Sequence, residues 1–424
     1  MIKKIFPIIF YFVAAGFSAV SQNSGVNSPY SRYGIGDILY NRTSKNISMG
    51  GLSYGLRSSN TVNFSNPASY TSFDTSSIVF NVGVINTYCK LRTDTLSQQT
   101  NNTTFSSLLF GFPITRWWSG SIGLVPYSNV AYKISSNEYI DSIGNVQYFY
   151  NGSGGINKFY IGNSFKILKN LSAGFNASYL FGTLNFIRTV TFIDISNIYN
   201  YKIVNSTNAG DFNFDFGLQY QIKLKKDWSL TIGFVYNNTK NVRAKIDTLS
   251  TNFINKSGYS YTRDTIINVS GIKGKIAFPS SYGIGFVLSK SEKFLVGGDF
   301  AIQNWSAYRY FGQSDSLINS IQICLGTQYI PNANSIKGYF QKIHYKLGFR
   351  FANTYLQLKN TKLNEYGITF GFDLPLRKTN SLINLGFEIG QRGTISNNLI
   401  KESYVKAALN FSFCDLWFLR QKYY

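Results

Sequence analysis

The residues that could carry acid–base or nucleophilic chemistry are few in this sequence. It has one histidine, His344, which stands close to Lys346 and Arg350. A general base must lie within hydrogen-bond reach of a nucleophile or a substrate proton, whereas this setting predicts a histidine satisfied by its charged neighbours. The 19 acidic residues are dispersed along the chain and show no metal-ligand spacing. We therefore expect no enzymatic activity, no metal and no other cofactor.

The cysteines and the basic residues exclude two further classes of site. Cys89, Cys324 and Cys414 match neither a CxxC nor a metal-binding pattern, and an odd number cannot all pair within the chain. We expect buried or lipid-facing thiols. The 41 Lys and Arg residues exceed the 19 acidic residues and give a formal net charge of +22. These basic residues are scattered singly and form no stripe. Because nucleic-acid binding needs such a stripe, they predict solvated loops and no nucleic-acid partner.

The first 21 residues have the features of a secretory signal peptide. Lys3 and Lys4 precede an apolar run of about 15 residues, 5–19, which is short for a membrane span. Residues 19–21, A-V-S, provide a small-x-small cleavage site. The alternative is a single anchor helix, but no charged stop-transfer flank follows. We expect cleavage after residue 21 and export of the chain.

An unbroken alternation of side chains over residues 211–224, DFNFDFGLQYQIKL, indicates the fold. Phe, Leu, Tyr and Ile occupy one set of alternate positions, and mostly polar residues occupy the other. A strand sorts such residues onto two faces, whereas a helix would scatter them. Strands in soluble sheets usually run about 5–6 residues, so this length suits a tilted strand that crosses a bilayer. The same alternation recurs at 228–236, 366–374, 383–390 and 405–413.

We predict an all-β fold, a 14-stranded antiparallel transmembrane β-barrel over residues 76–414 with a periplasmic tail at 415–424. The predicted strands are 76–91, 103–113, 118–135, 156–167, 170–192, 210–224, 228–246, 271–289, 293–310, 316–329, 340–358, 363–375, 381–394 and 401–414. Predicted long loops lie at 136–155, 193–209 and 247–270. Outer-membrane barrels keep short turns on the periplasmic side, so an even number of strands leaves both termini in the periplasm.

Residues 22–75 precede the first predicted strand and lack its alternation. A barrel of this size has a lumen too wide for its wall side chains to fill, so we predict that this segment folds back inside as a hatch. Its stretch SPYSRYGIGD, residues 28–37, supplies aromatic rings to pack and charges to meet a polar wall. We expect Arg32 to pair with Asp37 or with an inward-facing acid, since an unpaired buried charge is costly.

The residues expected in these roles follow from the same reasoning. The predicted hatch residues are Tyr30, Arg32, Tyr33, Asp37, Gly50, Gly51, Asn66, Pro67 and Ala68. The predicted charges of the lumen wall are Asp215, Asp299, Arg350, Asp373 and Glu388.

Several short motifs resemble those of a known family. The stretch from Arg42 to Gly51, which ends in S-M-G-G, and the N-P-A-S at 66–69 precede the barrel pattern as they do in the FadL family of outer-membrane transporters for hydrophobic compounds. The opening SPYSRYG, GTQYIPN at 326–332 and YGITFGFDLPL at 366–376 are similar to a branch common in Bacteroidota that includes PorV-like proteins. The resemblance implies a 14-stranded barrel, a hatch in the lumen and lateral release of apolar substrate at a kinked third strand.

The third predicted strand contains such an irregularity. A proline within a strand implies a bulge, a kink or an open edge, and Pro126 stands in the stretch GLVPYSNV at 123–130. Val125 and Tyr127 are expected to face inward, whereas Ser128, Val130 and Tyr132 are expected on the lipid side. The predicted lateral gate comprises Gly123, Val125, Pro126, Tyr127, Ser128 and Asn129. The alternative is an ordinary proline bulge without a portal.

Two functions are compatible with these predictions. The first is passive uptake of hydrophobic small molecules with lateral release near the third strand. The second is a barrel subunit of an outer-membrane secretion or assembly complex, as PorV-like relatives are, and the polar loops at 93–102 and 247–265 favour it by offering no apolar capture groove. Both place the protein in the cell outer membrane, in contact with its lipid, with a hydrophobic substrate in the first case and protein partners in the second.

Overall fold

The computed structural model describes residues 28–39, 43–195, 198–225, 227–256, 259–315, 317–335, 338–377 and 379–416. The predicted signal peptide, 1–21, and residues 417–424 of the predicted tail lie outside the described residues. So does Arg42, with which one of the family motifs begins.

One antiparallel sheet closes on itself to form the predicted barrel. In chain order the strands are β1 (Asp37–Ile38), β2 (Ser77–Arg92), β3 (Ser97–Pro113), β4 (Trp118–Ile140), β5 (Gly144–Lys166), β6 (Leu171–Phe192), β7 (Asn200–Lys223), β8 (Trp228–Asn237), β9 (Lys240–Lys256), β10 (Tyr259–Phe278), β11 (Ser281–Lys290), β12 (Phe294–Gln303), β13 (Arg309–Tyr310), β14 (Ser320–Tyr329), β15 (His344–Leu358), β16 (Thr361–Pro375), β17 (Leu382–Arg392) and β18 (Lys401–Leu416). The ladder closes because β18 pairs with β2 from Lys401↔Arg92 to Leu416↔Ser77.

The wall contains 14 strands, as predicted. Of the 18 elements, two lie outside the wall, and four others combine in pairs to form two wall strands. Both β8 and β9 pair with β7 and together form one wall strand, and β10 and β11 form the next one in the same way. The two-residue elements β1 and β13 only attach to strand edges. The prediction of an all-β barrel with 14 antiparallel strands is confirmed.

Side-chain burial on β7 shows how the alternation builds the wall. Phe212, Phe214 and Phe216 are 56%, 46% and 45% exposed on the outside of the barrel, whereas Asn213 and Gln219 are 6% and 1% exposed on the inside. Apolar side chains that face lipid and polar side chains that face a lumen produce this pattern. The period of two therefore assigned the two faces of this strand correctly.

The predicted long loops are wrong, because much of each is strand. The ladder of β4 and β5 continues to Ile140↔Gly144, β7 begins at Asn200, and β9 and β10 pair as far as Lys256↔Tyr259. Where strands extend above a membrane, both of their faces meet water, so neither face needs apolar side chains and the alternation disappears. Backbone pairing between the strands continues, because it does not depend on the side chains. Residues 259–273 of β10 are exposed on both faces. Since short turns mark the periplasmic side, we refer to this extended end as extracellular.

Helical elements are short and lie in the hatch and the connections. They are α1 (Ser44–Ile47) and 3-10 turns at Pro29–Arg32, Pro67–Ser72, Trp305–Ala307, Tyr339–Lys342 and Ser396–Asn398. Within the described ranges, no helix is long and apolar enough to cross a membrane. The three cysteines are buried and none forms a disulfide.

An apolar core fills the extracellular half of the lumen. Its buried side chains include Tyr30, Ile35, Val130, Tyr132, Ile156, Leu180, Leu184, Ala209, Val242, Ile276, Phe278, Trp305, Tyr308, Tyr355 and Leu356. They come from the hatch, from strands on both sides of the barrel and from the turn after β12. A second cluster packs hatch residues such as Phe64 and Tyr70 against Val79, Leu109 and Tyr160 of the periplasmic half.

Candidate functional site

The wall is not fully joined between β3 and β4. Their ladder has six pairs, from Pro113↔Ser119 to Leu108↔Leu124, and within the described residues no pair joins them further toward the extracellular side. The other edge of β4 stays paired with β5 along its whole length. The predicted gate residues begin where the β3–β4 ladder stops, so this gap is the candidate site.

A bulge within β4 accompanies the gap. The β4–β5 register shifts between Pro126 and Ser128, which leaves Tyr127 as the extra residue. Proline has no N–H to donate to a ladder, and such residues are confined to edges and bulges. The structure therefore shows both a bulge and an open edge at this proline, and whether the gap serves as a portal stays a proposal.

The bulge also changes which residues face inward. Ser128, Val130 and Tyr132 are buried at 3%, 1% and 7% exposure, so their predicted lipid-side position is wrong. An inserted residue shifts the two-residue period, and every later side chain moves to the other face. Val125 is buried in the periplasmic cluster, and the ring of Tyr127 stacks on Phe278 with centroids 5.6 Å apart. Gly123 leaves room for Tyr160, whose ring would lie 2.6 Å from an added Cβ.

The N-terminal part of the hatch covers the free edge of β4. Strand β1 pairs with it through Asp37↔Asn129 and Ile38↔Ser128. Further backbone bonds run from Leu39 N to Tyr127 O, 3.0 Å, and from Ser28 N to Ala131 O, 3.2 Å. Gly36 makes this approach possible, because its φ is 94° and an added Cβ would lie 2.5 Å from Asn129 O. The hatch thus supplies the partner that β3 does not.

Arg392 of β17 fastens this segment on its other side. Its guanidinium donates to Asp37 Oδ1 at 2.8 Å, to Glu402 Oε2 at 2.7 Å and to Ser28 Oγ at 2.6 Å. It also lies 5.6 Å from the centroid of the Tyr30 ring. The Tyr30 hydroxyl donates to Ile400 O at 2.6 Å. Burial raises the pKa of Tyr30 to about 12, which keeps this donor protonated.

The expected pairing of Arg32 is wrong. Arg32 is exposed, and its guanidinium carbon lies 5.2 Å and 5.9 Å from the ring centroids of Tyr33 and Tyr150. Its place beside Asp37 is taken by Arg392. That arginine extends the inward-facing set Asn384, Gly386, Glu388 and Gly390 by one step, so its parity along the strand was a usable signal that sequence reasoning missed.

The remaining predicted hatch residues bind the N-terminal segment to the periplasmic half of the wall. Gly50 N donates to Thr369 Oγ1 at 2.8 Å, and an added Cβ at Gly50 would lie 2.5 Å from Phe349 O. Gly51 N closes the turn by donating to Asn46 O. Asn66 Oδ1 caps the turn of Pro67–Ser72 by accepting from Ala68 N, and its Nδ2 donates to Leu218 O at 3.2 Å. Backbone and side chains of the hatch are therefore bonded to several wall strands.

The five predicted wall charges are buried inside the barrel, and each has a partner. The contacts are Lys158 Nζ to Asp215 Oδ2, 3.0 Å; Ser53 N to Asp299 Oδ2, 2.6 Å; Lys346 Nζ to Asp373 Oδ1, 2.7 Å; and Arg350 Nη2 to Glu365 and Glu388, both 2.5 Å. Asp299 thus holds the hatch backbone, whereas the others pair within the wall. Lys158, Lys346 and Glu365 were not foreseen, although each faces inward by strand parity.

One motif in the hatch has the spacing of a hydrolase nucleophile. Residues 51–55 read G-L-S-Y-G, but this segment lacks the strand–turn–helix context of a nucleophile elbow. Ser53 Oγ donates to Asp299 Oδ2 at 3.3 Å, and His344 Nδ1 instead lies 3.3 Å from Asp373 Oδ2. We assign Ser53 a role in anchoring the hatch.

Two cavities flank the hatch. One of about 150 Å³ lies behind the gap, and its lining combines Ile38, Ile85 and Leu356 with the charged side chains of Arg350, Glu388, Arg392 and Glu402. The other, of about 1400 Å³, opens at the periplasmic mouth and includes Arg57, Asp74, Glu292, Lys342 and His344. The smaller cavity touches the apolar core of the extracellular half only at Tyr355 and Leu356. Trp305, Leu184 and Ile156 in that core are at most 1% exposed and line neither cavity.

Comparisons with known proteins agree with this architecture. A family model described as BamG matches residues 1–424. The Pseudomonas putida toluene transporter TodX is 14% identical, with a TM-score of 0.58 over 91% of this chain and 100% of TodX. The CymD monoaromatic hydrocarbon channel is 12% identical, with a TM-score of 0.57 over 88% and 98%. A Pseudomonas aeruginosa FadL homologue is 10% identical, with a TM-score of 0.56 over 90% of this chain and 99% of the homologue. The comparison with curated proteins found no match.

Proposed function

Since the chain belongs to the BamG family, whose model matches residues 1–424, we propose that it is a barrel subunit of an outer-membrane assembly complex. The family name suggests a role in such an assembly, and the outward apolar belt of the barrel suits an outer-membrane location. In this proposal the barrel is a scaffold with a sealed lumen and no enzymatic activity.

The observation that carries this proposal is the packed extracellular half of the lumen. A channel for hydrophobic compounds needs an apolar path from the outside to the gap in the wall. Here Trp305, Tyr308 and Leu184 are at most 1% exposed within a core that joins opposite walls. The space behind the gap contains Arg350, Glu388 and Arg392. Close packing above and charge behind the gap favour a structural role.

The extracellular hairpin of β9 and β10 is the surface at which we expect a partner protein. Among the described residues, none pairs with the outer edge of β10 between residues 259 and 273, whereas Lys275 O accepts from Phe311 N at 3.0 Å. Tyr259, Tyr261 and Ile266 are 70%, 54% and 50% exposed beside this edge. A long unpaired edge with apolar side chains is a template for pairing with another chain. We propose that an extended segment of an assembly partner adds a strand there.

Shortening this hairpin tests the proposal. Replacing residues 250–267 by Asn-Gly joins the directly paired Leu249 and Asn268 through a two-residue turn and removes Tyr259, Tyr261 and Ile266 with most of the free edge. After extraction in mild detergent, we expect the unaltered protein to migrate in a defined complex and the shortened variant to migrate alone, because its edge is lost. The matched control replaces 138–146 by Asn-Gly between the paired Asn137 and Gln147 and should keep the complex. A complex that survives the first change would exclude this edge, and an unaltered protein that is monomeric would exclude the subunit role.

Passive uptake of hydrophobic small molecules is the second candidate. The unjoined wall beside Gly123, Val125, Pro126, Tyr127, Ser128 and Asn129 favours it, as does the likeness in fold to proteins described as toluene transporters. In this proposal those residues form a lateral exit into the membrane. The narrower resemblance to PorV-like barrels stays a prediction and favours the first candidate.

Closing the gap with a short bifunctional maleimide separates the two candidates. We would place cysteines at Thr104 and Asn129, which line the same cavity, in a chain with Cys89, Cys324 and Cys414 changed to alanine. A transporter should lose uptake of a labelled apolar tracer after crosslinking, because the exit is bridged. A subunit should keep its complex, and the uncrosslinked cysteine pair is the control. Loss of uptake with an intact fold would favour transport over the structural role.

A further inference from the structure

The outer face of the β9–β10 hairpin carries four cations in a two-by-two array. Lys245 lies directly opposite Lys273, and Arg243 lies directly opposite Lys275. All four side chains are exposed, whereas Val242, Ala244 and Ile276 between and beside them point into the apolar core. Directly opposed residues have Cβ atoms about 4.5–5.5 Å apart, and like charges at this distance destabilise a strand pair. The array therefore costs stability unless an anion neutralises it.

The nearby carboxylates do not neutralise the array. Asp211 Oδ2 accepts from Arg243 Nε at 3.2 Å, and its Oδ1 lies 3.9 Å from Lys240 Nζ. Asp247 accepts from Gly271 N at 2.7 Å and from the amide of Asn208 at 3.4 Å. Lys245, Lys273 and Lys275 form no ion pair with any residue that the structure describes. Five cations against two carboxylates leave an excess of three positive charges.

The position of the array on the barrel indicates what the anion is. Tyr179 and Phe181 of β6 pair with Phe212 and Gly210 of β7, and the ring of Tyr179 contacts the rings of Phe181 and Phe212 on the outside of the wall. Aromatic girdles of this kind lie at the headgroup level of a membrane. The pair Ala209↔Ala244 places Arg243 level with Gly210, so the array begins at the girdle and extends to its extracellular side. It thus lies at the height of outer-leaflet headgroups.

We propose that Arg243, Lys245, Lys273 and Lys275 bind the phosphate groups of a phosphorylated lipid headgroup in the outer leaflet. A phosphate accepts several charge-assisted hydrogen bonds, and basic clusters beside a membrane attract anionic headgroups. Bound phosphate bridges the opposed pairs and relieves their repulsion. This inference rests on the outer-membrane location proposed above but not on any protein partner.

The test measures binding of bisphosphorylated lipid A to the purified full-length protein in detergent by native mass spectrometry. The triple variant Lys245→Gln/Lys273→Gln/Lys275→Gln should bind at least about tenfold more weakly, since each surface lysine contributes to headgroup attraction. The matched control, Lys169→Gln/Lys225→Gln/Lys293→Gln, removes the same charge from exposed turns at the periplasmic end and should bind as the unaltered protein does. Binding should weaken as ionic strength rises.

Three further measurements decide the chemistry of the site. Dephosphorylated lipid A should lose the preference for the unaltered protein, and inorganic phosphate at low millimolar concentration should not displace the intact lipid. Equal lipid A binding by the triple and control variants would overturn the proposal. Displacement by free phosphate would reduce the array to a general anion site, and loss of a protein complex without loss of lipid A binding would assign it to an acidic protein partner.

Discussion

Removing residues 28–70 should convert a sealed barrel into one that conducts ions. The hatch occupies the lumen from its bond at Gly50 to Thr369 in the periplasmic half to Tyr30 and Ile35 in the extracellular core. Wall side chains alone cannot fill a lumen of this width. The wall itself should persist, because β18 and β2 close it without any hatch residue.

The measurement is conductance in planar bilayers, compared between the deletion and the unaltered protein. Material of both kinds must first resist SDS at room temperature and change mobility on boiling, which shows that the closed ladder has formed. We expect frequent, stable openings for the deletion and near-silence for the intact chain. A folded deletion variant that remains silent would mean that the wall and the turn around Trp305 seal the lumen without the hatch.

Replacing Arg392 by methionine should release the N-terminal part of the hatch. The substitution leaves Asp37 and Glu402 with 10% and 3% side-chain exposure and no guanidinium between them. Removing one partner of a buried ion pair costs about 3–5 kcal/mol, because the remaining charge is left without compensation. We expect residues 28–39 to lose protection in hydrogen exchange while the ladders of the wall keep theirs.

Two further variants serve as controls for the Arg392→Met measurement. Arg32→Met removes an arginine of the hatch itself, but that side chain is exposed and lies over the rings of Tyr33 and Tyr150, so we expect a loss of about 0.5–1 kcal/mol at most. Adding Asp37→Asn and Glu402→Gln to Arg392→Met removes the uncompensated charges and should restore part of the protection. Equal protection of 28–39 in the Arg392 and Arg32 variants would show that hydrogen bonds to β4 hold the segment alone.

The periodicity of the sequence was sufficient for the wall and its faces. A strand at the lipid boundary must bury backbone polar groups in a ladder and present apolar side chains on one side, and that requirement is local. It is visible in residues 211–224 and in the parity that places Asp215 and Glu388 inside. The same parity places Arg392 and Lys158 inside, so the sequence also contained the signal for these two charges. Pro126 indicated a bulge or an open edge, because the missing N–H of a proline is also a local property that can be read from the sequence.

Tertiary structure alone decided what closes the barrel and what the open edge meets. The strands above the membrane face water on both sides, so no period marks them, and their ladders exist because the lower strands hold them in register. The extracellular core joins Tyr30, Leu184, Trp305 and Tyr355, which are distant in sequence, and only the closed wall brings them together. The pairing of Asp37–Ile38 with β4, and of Asp37 with Arg392 in place of Arg32, has the same cause. A charged side chain pairs with the partner that the closed barrel places beside it. The separation of two residues along the chain does not show whether they will be such partners.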